Sequence, residues 1–189
     1  MSAFAPTLAS RSLPTVKPAA RDLLLITAGA LFVAALSQVK IPLPLTPVPL
    51  TGQTFAVLLV GAALGAKRGF GSLGLYLALG ALGLPFFAGG TSGLSYMSGP
   101  TLGYLVGFLA AAALTGFLAE RGLDRKVSTA ILAFLAGQAV IYLFGIAWLS
   151  VLLGFQKAIL AGLMPFLLGD ALKIGAAALA LPAAWKLVK

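Results

Sequence analysis

Residues 127–150 read VSTAILAFLAGQAVIYLFGIAWLS, a run of 24 residues without a charged side chain. A membrane-spanning helix needs about 17–25 mostly apolar residues, so this stretch predicts a transmembrane helix. Across the whole chain 60% of the 189 residues are hydrophobic and 9% are charged, whereas about a quarter are charged in soluble domains. So little charge cannot cover a water-facing surface, which excludes a soluble enzyme, a disordered protein and a nucleic-acid-binding protein.

Five further apolar blocks predict additional spanning helices, and the fold class is therefore an all-α integral membrane protein. Residues 1–20 are polar and contain three prolines, which predicts a cytoplasmic tail without regular structure. Residues 21–189 are predicted to form one membrane domain of six transmembrane helices. The predicted spans are 22–39, 52–66, 69–84, 100–119, 127–150 and 158–182.

Two segments between the apolar blocks are predicted to be loops. IPLPLTPVPL, residues 41–50, contains four prolines, which remove backbone donors and disfavour helix at the preceding residues. FFAGGTSGLSYMSGP, residues 86–100, is too glycine-rich to span a membrane and too apolar to lie free in water. We expect the second loop to fold back onto the helices.

The distribution of cations predicts which ends of the helices face the cytoplasm, because cytoplasmic loops carry an excess of Lys and Arg. One set of termini and loops carries ten cations, and the opposite set carries only Lys40 and Lys157. Both termini are therefore predicted to be cytoplasmic, and both loops to be outside. The ten cations are Arg11, Lys17, Arg21, Lys67, Arg68, Arg121, Arg125, Lys126, Lys186 and Lys189.

Small residues recur at helical spacing in two of the predicted spans. Gly103, Gly107, Ala111 and Thr115 follow one another every fourth residue, and Gly61 and its neighbours do the same near the end of the second span. Small residues let helices approach closely within lipid. We expect these stripes to be helix-packing surfaces.

Several functional classes lack their required residues. The chain has no histidine and no cysteine, so thiol catalysis, histidine bases and the usual zinc sites are absent, and no metal site or cofactor is predicted. It has no G-x-x-x-x-G-K-[ST] motif for ATP binding and no G-x-S-x-G nucleophile motif. The sequence predicts that the protein is not an enzyme.

Asp170 and Lys173 are the two charged residues that lie deep in an apolar block, LMPFLLGDALKIGAAALAL, residues 163–181. Charged side chains at such depth cost at least a few kcal/mol and normally face the interior of the bundle. Their i, i+3 spacing places them on one helical face. They predict a ligand site, with a structural ion pair as the alternative.

Gln53 opens the second span directly after the proline loop, and Tyr96 lies in the second loop. Together with Asp170 and Lys173 they would supply one anionic acceptor and several donors beneath the two outer loops, which predicts a small-molecule pocket. Each also has an alternative as an ordinary interfacial residue. Phe87 and its neighbour Phe86 are either walls of this pocket or lipid-facing aromatics.

Four segments of the chain resemble the BioY family, the biotin-binding S components of energy-coupling factor (ECF) transporters. They run in order from residue 44 to residue 173, and the resemblance covers about residues 22–182. It implies a six-helix S component in a bacterial-type cell membrane, which captures biotin outside and works with a T component and two ATPase subunits. The segments are PLTPVPLTGQTFAVLLVGAALG, SLGLYLALGALGLPFFAGGTSGL, SGPTLGYLVGF and PFLLGDALK.

The resemblance implies that Asp170 and Lys173 are the polar pair of the biotin site and that residues 47–53 and 89–96 close over the ligand. The ureido ring of biotin has two N–H donors and one carbonyl acceptor, which a carboxylate and a cation would satisfy. Family members can place an arginine near the fourth span for the biotin carboxylate, but none occurs between residues 68 and 121 here. Lys173, or backbone N–H groups at Gly89 and Gly90, would then bind it.

Ala30 and Ala34 form a small-residue stripe on the first span. The resemblance implies that this stripe docks the T component, and the alternative is packing against the protein's own helices. Two other functions remain open on the residues alone. The first is a self-contained secondary carrier or channel with a proton-linked Asp–Lys pair, and the second is a membrane scaffold without a ligand.

Overall fold

The structure is a computed structural model that describes residues 7–8, 17–44 and 46–187. It is built mostly of helices. In the described residues the helices are α1 (Pro18–Ser37), α2 (Gln53–Leu64), α3 (Ala66–Ala81), α4 (Leu94–Met97), α5 (Leu102–Ala119), α6 (Val127–Leu153), α7 (Phe155–Gly162) and α8 (Leu167–Leu187), with a 3₁₀ turn at Met164–Phe166.

Four of these segments are long and apolar enough to cross a membrane: α1, α5, α6 and the 33-residue stretch Phe155–Leu187. Helix α2 is equally apolar but only 12 residues long. Large apolar side chains cover the outside, and Leu132, Leu143 and Leu179 are all more than 60% exposed. An exterior of this kind suits a lipid environment and not water.

The long helices α5 and α6 match their predicted spans to within three residues, whereas the first span differs at its start. Helix α1 begins at Pro18, inside the predicted tail, because proline suits the first turn of a helix. The end of the predicted tail is therefore corrected to residue 17. The remainder of the tail, residues 1–6 and 9–16, lies outside the described residues.

The predicted last span, 158–182, is not one helix. Helix α7 begins at Phe155, three residues earlier, and ends at Gly162. The chain then passes through the 3₁₀ turn and continues as α8. Pro165 accounts for the break, because its nitrogen has no proton to donate and its ring disfavours helix at the preceding residue.

The proline loop is extended, as predicted, and its ends are tied by two short strands. Strand β1 (Lys40–Ile41) pairs antiparallel with β2 (Leu50–Thr51), with Lys40 opposite Thr51 and Ile41 opposite Leu50. This ribbon leads directly into α2 and therefore positions Gln53 at the first turn of that helix.

Small residues form the helix contacts, as predicted. Helix α5 packs along α6, α2 and α3, and α1 packs on α3 and α2. A side chain at Gly103 would meet the carbonyl of Phe144, and one at Gly61 would meet Thr115. Helices at these two points are therefore as close as their backbones allow.

Ala30 and Ala34 belong to this internal packing and not to the outer surface. They are 1% and 6% exposed, and both lie in the hydrophobic core. The exposed face of α1 carries other residues, among them Leu24, Leu31 and Phe32. The assignment of these two alanines to a partner interface is therefore corrected, and the structure matches the alternative of packing within the chain.

Candidate functional site

A small cavity lies between α2, α5, α6 and α8, beneath the proline loop, with a free volume of about 40 Å³. Its walls are mostly apolar, with Phe108, Ile141 and Phe166 among them. Several polar and charged residues converge on one part of this wall. The residues that meet at Asp170 are Thr54, Gln138, Tyr142 and Lys173, and the lining also contains Thr51, Gln53, Tyr96, Thr101 and Tyr104.

Asp170 is the centre of the polar network, and the carboxylate is 5% exposed. One oxygen, Oδ2, accepts hydrogen bonds from Gln138 Nε2 at 2.7 Å and from the Tyr142 hydroxyl at 2.5 Å. The other, Oδ1, accepts from Lys173 Nζ at 3.0 Å and from Thr54 Oγ1 at 3.2 Å. Each carboxylate oxygen thus has two donors, which compensates the charge for the loss of water.

The break between α7 and α8 determines where this pair lies. Because α8 restarts at Leu167, Asp170 falls in its first turn, where a negative charge interacts favourably with the helix dipole. Lys173 lies one turn further along the same face and also donates to Thr54 Oγ1 at 3.0 Å. Asp170 and Lys173 are therefore brought together at the cavity, as the sequence predicts.

Gln53 lines the cavity and is 6% exposed, but its amide group is held by neighbours. Its Nε2 donates to the Tyr76 hydroxyl at 2.6 Å, and its Oε1 accepts from Thr51 Oγ1 at 2.9 Å. Gln53 is consequently a fixed part of the wall that connects β2 to α3.

Tyr96 lines the same cavity, whereas Phe87 lies behind it. The two rings stack at a centroid distance of 5.3 Å, and Phe87 also meets the edge of Tyr76 at 5.7 Å. Phe87 is fully buried. It supports Tyr96 and does not contact the cavity, so its predicted role as a pocket wall is corrected to an indirect one.

Gly89 and Gly90 are also away from the cavity lining. Both have positive φ angles, 70° and 78°, which form a tight turn that favours glycine. The Gly89 N–H donates to Ser37 O at 3.2 Å, and the Gly90 N–H donates to Phe87 O at 3.1 Å. The suggestion that these amides bind a ligand carboxylate is therefore corrected, because they satisfy carbonyls of the protein itself.

Gln138, Tyr142 and Thr54 complete the network and were not predicted from the sequence. Gln138 and Tyr142 are polar residues within the uncharged run 127–150 and are spaced i, i+4, which places them on one face of α6. That spacing is the signal that could have identified them.

A second, larger cavity of about 430 Å³ lies above the first, between the proline loop and α4, and we call it the vestibule. Pro49, Tyr96 and Thr101 line both spaces, so the vestibule lies directly over the inner cavity. Among the described residues that line the vestibule, Lys40 is the only charged one.

Comparison with known proteins places this architecture in a family. The sequence profile of the BioY family matches residues 8–189, nearly the whole chain. The chain belongs to the BioY family.

Individual relatives agree with this assignment. A biotin transporter BioY from Rhizobium etli is 41% identical over 169 residues, which are 84% of this chain and 90% of that protein. A probable biotin transporter BioY from Pyrococcus horikoshii is 43% identical over 149 residues, which are 78% and 88% of the two chains. As a BioY-family protein, the chain is a multi-pass membrane protein.

The fold also matches a solved structure. A crystal structure of the S-component for biotin from an ECF-type ABC transporter superimposes with a TM-score of 0.80 at 26% sequence identity. The match covers 91% of this chain and 95% of the other. The helix arrangement described above is therefore that of an ECF S component.

Proposed function

We propose that this BioY-family chain is the substrate-binding subunit of an ECF-type importer, and that it captures biotin at the outer face of the membrane. The observation that carries the proposal is the inner cavity, where a charged pair and two amide side chains lie in a wall whose surface is mostly apolar. Biotin has the complementary form, with a polar ureido edge on an apolar bicyclic ring. The names of the relatives and the matched S-component support the same ligand.

The proposed pose places the ureido ring at the Asp170–Lys173 network and the bicyclic ring against the apolar wall. The inner cavity has room for only a few water molecules at its present size. Tyr96 and the proline loop must therefore move outward when biotin enters, and the aliphatic tail then extends into the vestibule.

The carboxylate of biotin is proposed to face Lys40. Lys173 belongs to the network at which the ureido ring is placed, and two of its three N–H groups already donate to Asp170 and Thr54. Lys40 is the charged residue of the vestibule, where the tail would end. Thus the cation that replaces the family's arginine comes from strand β1 and not from the fourth span.

Six spans with both termini in the cytoplasm are also proposed. They comprise α1, α2, α3, α5, α6 and the α7–α8 stretch, in keeping with the cation asymmetry of ten against two. At 1.5 Å per residue α2 extends about 18 Å, which is short, so local thinning of the bilayer accompanies it. Energy is proposed to come from a T component and two ATPase subunits, because the chain has no P-loop motif.

Isothermal titration of the purified protein with biotin, without ATP, tests the proposal. We expect biotin to bind and Asp170→Asn to weaken binding by roughly tenfold to a few hundredfold, since a hydrogen bond to a charged group contributes about 1.5–3 kcal/mol. Asp22→Asn is the matched control, because Asp22 pairs with Arg68 at 2.8 Å outside the cavity.

Three results would contradict the proposal. Absence of biotin binding by the folded wild-type protein would refute the function. Unchanged biotin affinity in a destabilised Asp170→Asn variant would instead show that the pair is only structural. Uptake into liposomes by this chain alone, driven by an ion gradient, would identify a secondary carrier.

A further inference from the structure

We infer that Gln138 is the specificity-determining residue of the inner cavity, which accepts a hydrogen bond from a ligand N–H group, and that Asp170 positions it. The inference rests on the proposed function, because it concerns the same cavity and a ligand with a ureido ring. In this arrangement Asp170 does not bind the ligand directly. It orients Gln138, which does.

The starting observation is an unpartnered acceptor. Gln138 lies on α6, lines the inner cavity and is 5% exposed. Its Oε1 is enclosed and has no hydrogen-bond partner among the described residues. Buried polar atoms in native proteins are nearly always paired, and an unpaired one is unfavourable. A ligand in the cavity with an N–H donor could pair with Oε1 and remove this unfavourable state.

The orientation of the Gln138 amide is determined by Asp170. Its Nε2 donates to Asp170 Oδ2 at 2.7 Å. A carboxylate can only accept hydrogen bonds, so a flipped amide would bring two acceptors together. Asp170 therefore keeps the nitrogen toward itself and leaves Oε1 as the free end of the side chain.

Asp170 itself has no free acceptor capacity. A carboxylate offers about four acceptor sites, and Thr54, Gln138, Tyr142 and Lys173 occupy them, two at each oxygen. A ligand N–H could reach Asp170 only by displacing one of these donors. Gln138 Oε1 requires no such displacement.

The ligand class follows from this arrangement. Gln138 and Lys173 both line the cavity and donate to different oxygens of Asp170, so a neutral amide acceptor and an ammonium group flank the same carboxylate. A cyclic urea or lactam matches it, because an N–H and a carbonyl oxygen lie on adjacent atoms of one ring. A ligand alkylated at that nitrogen has no donor to offer.

The test combines a change in the protein with a change in the ligand. Isothermal titration compares wild-type protein, Gln138→Met and Thr54→Val with biotin and with its two isomers methylated at one or the other ureido nitrogen. Methionine is similar in length to glutamine and cannot accept comparably. Thr54→Val is the matched control, since it removes one donor to Asp170 and leaves the Gln138 amide in place.

We expect Gln138→Met to weaken biotin binding by roughly tenfold to a hundredfold. One methylated isomer should bind wild-type protein more weakly than the other, and Gln138→Met should not weaken that isomer further. Thr54→Val should weaken all three ligands by one common factor. If Gln138→Met fails to fold, the difference in the affinity of wild-type protein for the two methylated isomers decides whether the inference holds.

Four results would overturn the inference. Equal weakening of all three ligands by Gln138→Met would show that the residue only supports Asp170. Unchanged biotin affinity in that variant, or equal binding of both methylated isomers to wild-type protein, would show that water satisfies Oε1. Absence of biotin binding by wild-type protein would refute the proposed function and this inference together, so the two failures are distinguishable.

Discussion

At the scale of single residues, the inner cavity depends on how a charge is kept in an apolar bundle. An ionised carboxylate with no partner in lipid surroundings is strongly unfavourable. Asp170 is stable there because four donors from three helices meet it. The same contacts hold α2, α6 and α8 together at the cavity, so binding and stability share these side chains.

Lys40→Met tests the proposed contact with the biotin carboxylate. Lys40 is exposed in the vestibule, and exposed ion pairs contribute about 0.2–1 kcal/mol, so biotin affinity should fall by roughly up to fivefold. The loss should shrink at high salt because salt screens exposed charges. Titration with biotin and with its neutral amide measures this, and the amide should bind both proteins equally.

Lys157→Met is the matched control, since Lys157 is the other cation on the predicted outer side and does not line the vestibule. Equal loss of affinity for biotin and for its amide in Lys40→Met would contradict the carboxylate contact.

Sequence reasoning identified the charged part of the site and missed its neutral part. Asp170 and Lys173 were predictable because charge inside an apolar run has few explanations other than a pair or a site. Gln138 is a single neutral polar residue, and its importance depends on what α8 places beside it. Gly89 and Gly90 were misassigned because the fold already pairs their N–H groups, that of Gly89 with Ser37 O on α1 and that of Gly90 with Phe87 O in its own turn.

At the scale of helices, close approach through glycine determines the packing. Gly61 on α2 faces α5, where a Cβ would meet Ala112 O at 2.5 Å and also Thr115 Oγ1. Neither the backbone carbonyl nor a buried threonine can move far, so the position admits no side chain.

Gly61→Ala should therefore destabilise the protein by about 1–3 kcal/mol, the usual cost of overpacking. Gly175→Ala is the matched control, because Gly175 lies within α8 with nothing within 4 Å of a Cβ. Alanine there should stabilise α8 by about 0.5–1 kcal/mol. Thermal unfolding in detergent measures both, and a Gly61→Ala variant at least as stable as Gly175→Ala would contradict the packing argument.

A second contact between elements joins the loop before α6 to the end of α8. Asp124 is 2% exposed, and its Oδ2 accepts from Trp185 Nε1 at 2.6 Å. Burial raises the pKa of Asp124, while the Trp185 hydrogen bond and Arg125 act in the opposite direction. Folding therefore favours the protonated carboxyl.

The sign of the pH dependence follows. A raised pKa in the folded state means that stability from Asp124 is greatest at low pH. It declines as the pH rises from about 4, the ordinary value, through the pKa of the folded state. Asp124→Asn should remove this decline, so the variant should gain stability relative to wild-type protein between pH 4 and pH 7. A difference in melting temperature that does not change with pH would contradict this.

Helix positions were predictable from hydropathy, but which side of each helix packs against the other helices was not. Helix α1 is rich in small and apolar residues on every side, so its sequence does not distinguish the face toward α3 from the face toward lipid. Ala30 and Ala34 were misassigned for this reason. The break at Pro165 was missed because the apolar pattern continues on both sides of it.

At the scale of the whole molecule, the two ends of the helix bundle differ in their loops, cavities and charges. One end carries the proline loop, α4, the vestibule and Lys40 over the inner cavity. The other carries the cations of residues 121–126 and the Asp124–Trp185 contact. Capture of a solute from outside requires that the end with the vestibule faces outward.

Single cysteines test this orientation, and the chain has no cysteine of its own to interfere. Ser95 lies in α4 and lines the vestibule, whereas Ser128 is exposed in the first turn of α6, beside the cationic loop. A membrane-impermeant maleimide should label the Ser95→Cys variant in intact cells and the Ser128→Cys variant only after permeabilisation, because the cation-rich side is cytoplasmic. Biotin should slow labelling at position 95, since its tail would occupy the vestibule, and should not affect position 128.

Labelling of both positions from the same side would contradict the proposed topology, since the two residues lie at opposite ends of the bundle. Labelling of only the Ser128→Cys variant in intact cells would mean that the molecule has the opposite orientation in the membrane, with the inner cavity open to the cytoplasm.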